Sequence, residues 1–324
     1  MATLAEIRAK LQQKEQSSGG GTGGDSALFP FWNSPEGTTT TLRFLPDADP
    51  NNTFFWQERQ MIHLPFPGVE GDIDSGPVTV KVPCNEMWGA VGSCPVLSEI
   101  RPWFKDPNLE DLAKKYWKKY SYVFQGFVVD TEFQEKNVPE NPIRRFIINK
   151  ELYTMITAAL MSPEFEEMPT DYDAGTDFRI SKTKQGNYAN YKTSSWARRE
   201  RSLTETERAA IAEYGLFNLS DFIPNRPSEE ELRAIKEMFE ASVDGQLYDP
   251  ERWGNMYRPS GMNRPTDSDS TSSEKSTQTQ SPTREGPPFE TSSNDESKAT
   301  SEPAAAPSGN TKSAQDILAA IRNR

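Results

Sequence analysis

The sequence predicts an α+β fold, mainly β: a small antiparallel barrel carrying inserted helices and flanked by polar segments. Two observations set the barrel. Short runs rich in β-branched and aromatic residues recur between positions 39 and 182. Helical periodicity is confined to brief stretches between and after them. A third observation limits how much of the chain folds. Hydrophobic residues make up 34% of 324, with 25 prolines and 20 glycines, and the mean hydropathy is −0.76. Such values describe an ordered core diluted by polar segments.

Residues 1–24 read as a basic arm and a linker. Leu4, Ile7 and Leu11 recur at helical spacing, with Arg8 and Lys10 between them. A glycine-rich run over 17–24 then breaks the pattern. Strands are expected at 39–46, 54–63 and 78–82. A helix over 109–120 should lead into a strand at 122–129, paired with 144–148. Residues 151–161 form a helix and 178–182 another strand. The core thus spans 25–258, with a small subdomain near 55–100 and an acidic helical part over 203–245. There Ser228 is placed to cap a helix whose first turn is Glu229-Glu230-Glu231. Leu232, Ile235, Met238 and Phe239 would face inward. Residues 259–312 are dominated by Ser, Thr, Pro, Asn and Gln and are expected to be disordered. Residues 313–324 close as a short amphipathic helix with Ile317, Leu318 and Ile321 on one side. Its 318–322 segment repeats 4–8 at four of five positions, so the two termini could share a docking surface or match by chance.

Charge excludes less than its total suggests. The net charge is −12, but binding depends on where charges sit. Residues 101–120 hold six bases against three acids, and residues 177–203 hold seven against two. No apolar run approaches membrane-spanning length, and the opening residues lack the basic start and apolar stretch of a secretory signal. Two cysteines and one histidine leave no disulfide framework and no multi-histidine metal site. No glycine-rich phosphate loop or nucleophile elbow is present either, so the chain is not expected to be an enzyme.

Single-stranded nucleic acid asks for aromatic rings interleaved with cations. Each base stacks on a ring at about 1–3 kcal/mol, and lysines and arginines follow the phosphates. Three stretches supply the mixture: Lys118, Lys119, Tyr120 and Tyr122; Arg144, Arg145 and Phe146; and Lys182, Lys184, Tyr188 and Tyr191. In the alternating run 120–124, one face must point outward, which favours Tyr120 and Tyr122 as binding residues. Trp117, Phe124 and Phe127 read better as core. His63, Cys84 and Cys94 offer three zinc-ligating side chains. A closed structural zinc takes four ligands, commonly with a Cys-x-x-Cys pair, and Leu97 stands where that second cysteine would. Two buried thiols and an ordinary histidine are the alternative reading.

At these residues the chain resembles the single-stranded-DNA-binding, helix-destabilising proteins of T-even-like bacteriophages. The carriers are Leu42-Arg43-Phe44-Leu45-Pro46, the His63, Cys84 and Cys94-Pro95-Val96 array, Lys118-Lys119-Tyr120-Ser121-Tyr122, and residues 186–191, within roughly 38–195. The resemblance implies an oligonucleotide-binding (OB) barrel with a zinc subdomain. It also implies DNA-contacting roles for Arg43, Lys118, Lys119, Tyr122, Tyr188 and Tyr191, and for Phe146 where the family has tyrosine. By the same resemblance, the arm from Leu4 to Lys14 would contact a neighbouring subunit and make binding cooperative. The tail would recruit replication and recombination proteins, and the setting would be the cytoplasm of an infected host cell. The tail departs from the family's acidic one, with nine acids and seven bases from Arg264 onward. Two other functions fit the residues: an RNA-binding barrel such as a translational regulator, and a non-catalytic scaffold or virion protein.

Overall fold

A computed structural model describes residues 26–259 and 262, except 136, 164–166 and 187. The expected arm (1–24) and terminal helix (313–324) lie outside the described residues, as does the expected linker apart from Pro259 and Met262. The described chain divides into two compact units. One comprises 26–59 and 120–224, the other 60–119 and 225–259.

The first unit is mainly antiparallel sheet. Its strands are β1 (Thr39–Leu45), β4 (Lys119–Asp130, from Tyr120 onward), β5 (Ile143–Asn149), β6 (Gly175–Ser181) and β9 (Ser195–Arg201). They lie in the order β5-β4-β1-β6-β9. A separate hairpin joins β7 (Thr183–Gln185) to β8 (Tyr188–Asn190). The sheet is open: among the described residues β5 and β9, the ends of this path, do not pair.

Both faces of this sheet are covered, which the alternation of a half-buried strand would not suggest. Leu42, Phe44, Phe124, Phe146 and Phe178 point to one side and form the larger core with Phe29, Phe31 and Tyr191. Helix α3 (Lys150–Leu160) closes this side with Leu152 and Ile156, capped by Asn149 accepting from Leu152 N–H. Leu45, Phe127 and Ile143 point to the other side, against Leu203 and Ala210. Ala210 belongs to α4 (Glu205–Tyr214), which starts with a capping box between Thr204 and Glu207. Gly126, opposite Phe44, has to be glycine, because a Cβ there would collide with the Arg43 carbonyl.

Strand β2 (Trp56–Phe66) begins in the first unit and continues into the second, where it pairs with β3 (Val78–Pro83). The second unit adds α1 (Pro95–Ile100), α2 (Glu110–Tyr116), α5 (Glu229–Val243) and α6 (Pro250–Trp253). Ser228 caps α5 in a capping box with Glu231, as its sequence predicts. Ile235, Met238 and Phe239 are buried and Leu232 is half-buried. Phe239 packs edge-on against Tyr116, whose hydroxyl lies 3.0 Å from Ser242 Oγ.

Candidate nucleic-acid interface

The structure redistributes the residues in which the sequence suggested a groove. Lys118 and Lys119 belong to the second unit, whereas Tyr120, Tyr122, Arg144 to Phe146 and the 182–191 stretch belong to the first.

Several of the expected contacts are interior. Phe146 is fully buried in the larger core. Tyr191 is also interior, with its ring edge-on to Phe31. Tyr122 is buried and stacked flat on Tyr153 at 3.4 Å. Burial, reinforced by Glu58 beside its hydroxyl, pushes the Tyr122 phenol up. The alternation from 120 to 124 does turn Tyr120 and Tyr122 to one side, but that side is the larger core.

Arg43 is a structural cation. Its side chain is 0% exposed, because it sits on the sheet face that α4 and the 171–174 turn cover. Nη1 pairs with Asp177 at 3.3 Å, and Nη2 donates to the Asp171 and Arg201 carbonyls at 2.7 and 2.9 Å. Burial pushes this guanidinium down, with Asp177 opposing. Gly175 leaves room for it, since a Cβ there would strike Arg43 Nη2. The chain of charges continues: Arg201 Nε meets Asp177 at 2.7 Å, and Nη1 and Nη2 meet Glu207 at 2.9 and 3.0 Å. Its bonds to Glu207 and then to Asp177 hold the Arg201 guanidinium firmly protonated.

Arg144 and Arg145 are likewise engaged. Arg144 forks onto Glu135 at 2.5 and 2.7 Å and donates to the Ser26 carbonyl. Arg145 lies over the Phe222 ring, 3.4 Å from its centroid. Lys118 pairs with Glu86 at 3.2 Å with its side chain 14% exposed. Lys119 and Tyr120 remain half-buried, and Lys150 stands 5.7 Å from the Tyr120 ring.

A different cationic surface remains open. From Phe178 through Arg199 the sequence contains six bases and no acid. Tyr188, on the β7–β8 hairpin, is 56% exposed, and Lys184 beside it meets the exposed Glu36 at 3.3 Å. The hairpin turns at Gly186, whose φ of +63° suits glycine. Lys182 is drawn inward and donates to the Trp32 carbonyl at 2.6 Å. Arg179 and Lys192 are exposed. On β9, a bulge inserts residues between the pairs Phe178↔Trp196 and Thr176↔Glu200. A bulge turns side chains out of strict alternation, and here the adjacent Arg198 and Arg199 are both exposed. Among the described residues, Arg179, Arg198 and Arg199 take no ion pair or side-chain hydrogen bond. The acid-free stretch is visible in the sequence, but the exposure of these arginines depends on β9 and its bulge, which have no local sequence period.

The thiols meet, but not as part of a three-ligand site. The Cys84 thiol beside it, with the N–H groups of Leu97, Asn85 and Val96, holds the Cys94 thiol below its ordinary value. The neighbouring Cys94 and burial push Cys84 up. Among the described residues no three His, Cys, Asp or Glu side chains are grouped to hold a metal ion, so His63 does not join them. Leu97 is a fully buried apolar residue. Two thiols and a leucine do not fit a structural zinc.

No family model and no curated protein matches this chain. Among the described residues, no helix is long and apolar enough to cross a membrane.

Proposed function

We propose that the chain binds single-stranded DNA, largely without regard to sequence, through the exposed cations of the 178–199 stretch of its first unit. One observation carries the reading: Arg179, Lys184, Lys192, Arg198 and Arg199 are exposed within the same acid-free stretch, 178–199, as the exposed Tyr188. Cations tracking phosphates beside a ring open to a base is the chemistry that single strands require. Interior aromatics then build the scaffold, and Arg43, Arg144, Arg145, Phe146, Tyr122 and Tyr191 act by holding it. We take the five-strand path of the first unit as an OB barrel left open between β5 and β9.

The resemblance to phage helix-destabilising proteins supports a coat that protects and organises single strands during replication, recombination and repair in an infected cell. Cooperative self-association would run through the arm, and partner recruitment through the tail. A protein that binds single strands and not duplex pulls melting toward the open form by mass action. Titrating tryptophan fluorescence with oligo(dT), oligo(U) and a duplex of equal length tests the reading. Tighter binding to oligo(dT) than to the duplex is expected. Equal affinity for duplex and single strand overturns it, preference for oligo(U) makes the protein an RNA binder, and absence of binding leaves a scaffold.

A further inference from the structure

The first unit carries a cleft that the proposed nucleic-acid contact does not use. It lies where the end of β4 meets the start of α4 and has a volume of about 500 Å³. Phe127, Val128, Val129 and Pro142 line its apolar part. Val129 is 42% exposed and Pro142 is exposed as well, so apolar surface faces water there. Arg201 and Glu207 also line it, but they are engaged with each other at 2.9 Å. The acids nearby are not. Asp130 follows Val129, Glu205 lies within the 204–207 segment that lines the cleft, and Glu140 comes two residues before Pro142. All three are exposed and take no ion pair among the described residues. An open apolar cleft beside uncompensated acids suits an amphipathic segment that carries cations.

The chain brings such a segment close. Arg144 donates to the Ser26 carbonyl at 3.0 Å, and Arg145 N–H to the Ala27 carbonyl at 2.7 Å. Pro142 precedes Arg144 by two residues, about 7 Å along extended backbone. The 14 residues from 12 to 25 can span up to about 50 Å, so Leu11 and the residues before it can reach the cleft. A tether this short gives an effective concentration in the mM range.

We propose that the cleft is the docking site of the chain's own arm. Leu4, Ile7 and Leu11 share one side of a helix and match the apolar part. Residues 1–14 hold three bases and one acid, and Arg8 and Lys10 are the counter-charges for Asp130, Glu140 and Glu205. A helix of this length is marginal by itself and forms against a surface that buries its apolar side. The tail carries the same pattern: Leu318-Ala319-x-Ile321-Arg322-x-Arg324 matches Leu4-Ala5-x-Ile7-Arg8-x-Lys10, with arginine for lysine at the end. Its tether is longer, 55 residues from 263 to 317, and effective concentration falls with length. The arm is therefore the occupant and the tail its competitor. An arm held at home is withheld from neighbouring copies, and the same cleft on a neighbour is where a released arm goes.

A fluorescein-labelled peptide of residues 1–14 is titrated with the full chain in the absence of nucleic acid, and its anisotropy is read. The same titration is run with full-length Leu4→Asp/Ile7→Asp, whose own arm is disabled. Freed of its tethered rival, that variant should bind the peptide on the order of 10-fold more tightly than wild type. Adding Asp130→Lys and Glu140→Lys to it should weaken the peptide on the order of 10-fold. A peptide carrying Arg8→Glu and Lys10→Glu should recover the loss, which also shows that the variant folds. Equal affinity of wild type and arm variant, no effect of the two lysines, or no recovery by the reversed peptide overturns the proposal. So does a gain in affinity produced by Leu318→Asp and Ile321→Asp in place of the arm substitutions, since the tail is then the occupant. A wild type that sediments as a dimer, and as a monomer once its arm is disabled, puts the arm in a second copy and overturns docking at home. No nucleic acid takes part, so failure here leaves DNA binding untouched.

Discussion

Replacing Arg179, Arg198 and Arg199 together by alanine separates an electrostatic interface from a merely basic surface. The three are exposed and take no ion pair among the described residues, so each is available to a phosphate. For single strands, the logarithm of the binding constant falls with the logarithm of salt by about 0.7 per phosphate neutralised. Three lost contacts should flatten the slope by about 2. If wild type and variant converge near 1 M salt, affinity at 0.1 M falls on the order of 100-fold. Exposed substitutions of this kind leave folding within about 0.5 kcal/mol of wild type. Anisotropy of a labelled oligo(dT), titrated at several NaCl concentrations beside a urea unfolding curve, measures both quantities. An unchanged slope with intact folding refutes the interface. So does a loss of affinity that is the same at all salt concentrations.

Tyr188→Ala should weaken oligo(dT) binding by the stacking of one base, about 1–3 kcal/mol, with the salt slope unchanged. Tyr191→Ala should instead destabilise the fold by about 3–5 kcal/mol, read by denaturant unfolding, because its ring lies in the larger core. Arg43→Met should destabilise the fold by about 1–3 kcal/mol for each bond to the Asp171 and Arg201 carbonyls, while Asp177 keeps Arg201; a stable variant that loses only DNA affinity would restore Arg43 as a contact. Burial raises Glu86 and Glu207, but their hydrogen bonds and cationic partners more than offset it, so both carboxyls sit below their ordinary value. Their stabilisation is therefore full above the ordinary value near 4.5 and is lost as pH falls through the lower folded values. Acid unfolding curves of Glu86→Gln and Glu207→Gln should be flatter in that range than those of wild type.

Much of the scaffold was legible because its signals are local. The β-branched run at 39–46 became β1, the apolar period at 151–161 became α3, and Ser228 with Glu231 wrote its own capping box. Strand β9 was not legible, since Ser195–Arg201 has one large apolar residue and four charges. It is a strand because Trp196 fits beside Phe178 and Phe44, a tertiary cause with no local sequence period.

The candidate site was harder to read than the fold for a related reason. Sequence supplies the chemical type of a side chain but not which face of a sheet is covered. Arg43 between Leu42 and Phe44 looks like an outward cation on a strand with one wet face. Here that face meets α4, and Asp177, Arg201 and Glu207 supply the charges that a buried guanidinium requires. The same inversion places Arg145 over Phe222 and turns Tyr122 against Tyr153. A cation that has acquired carboxylate and carbonyl partners in the interior can reach a phosphate only by giving them up, at a cost of several kcal/mol. Among the described residues, Arg198 and Arg199 have no such partners to lose. Once the covered faces are known, the exposed cations rather than the numerous ones are those that the proposed interface can use. They lie along the acid-free stretch that runs into the bulged strand β9.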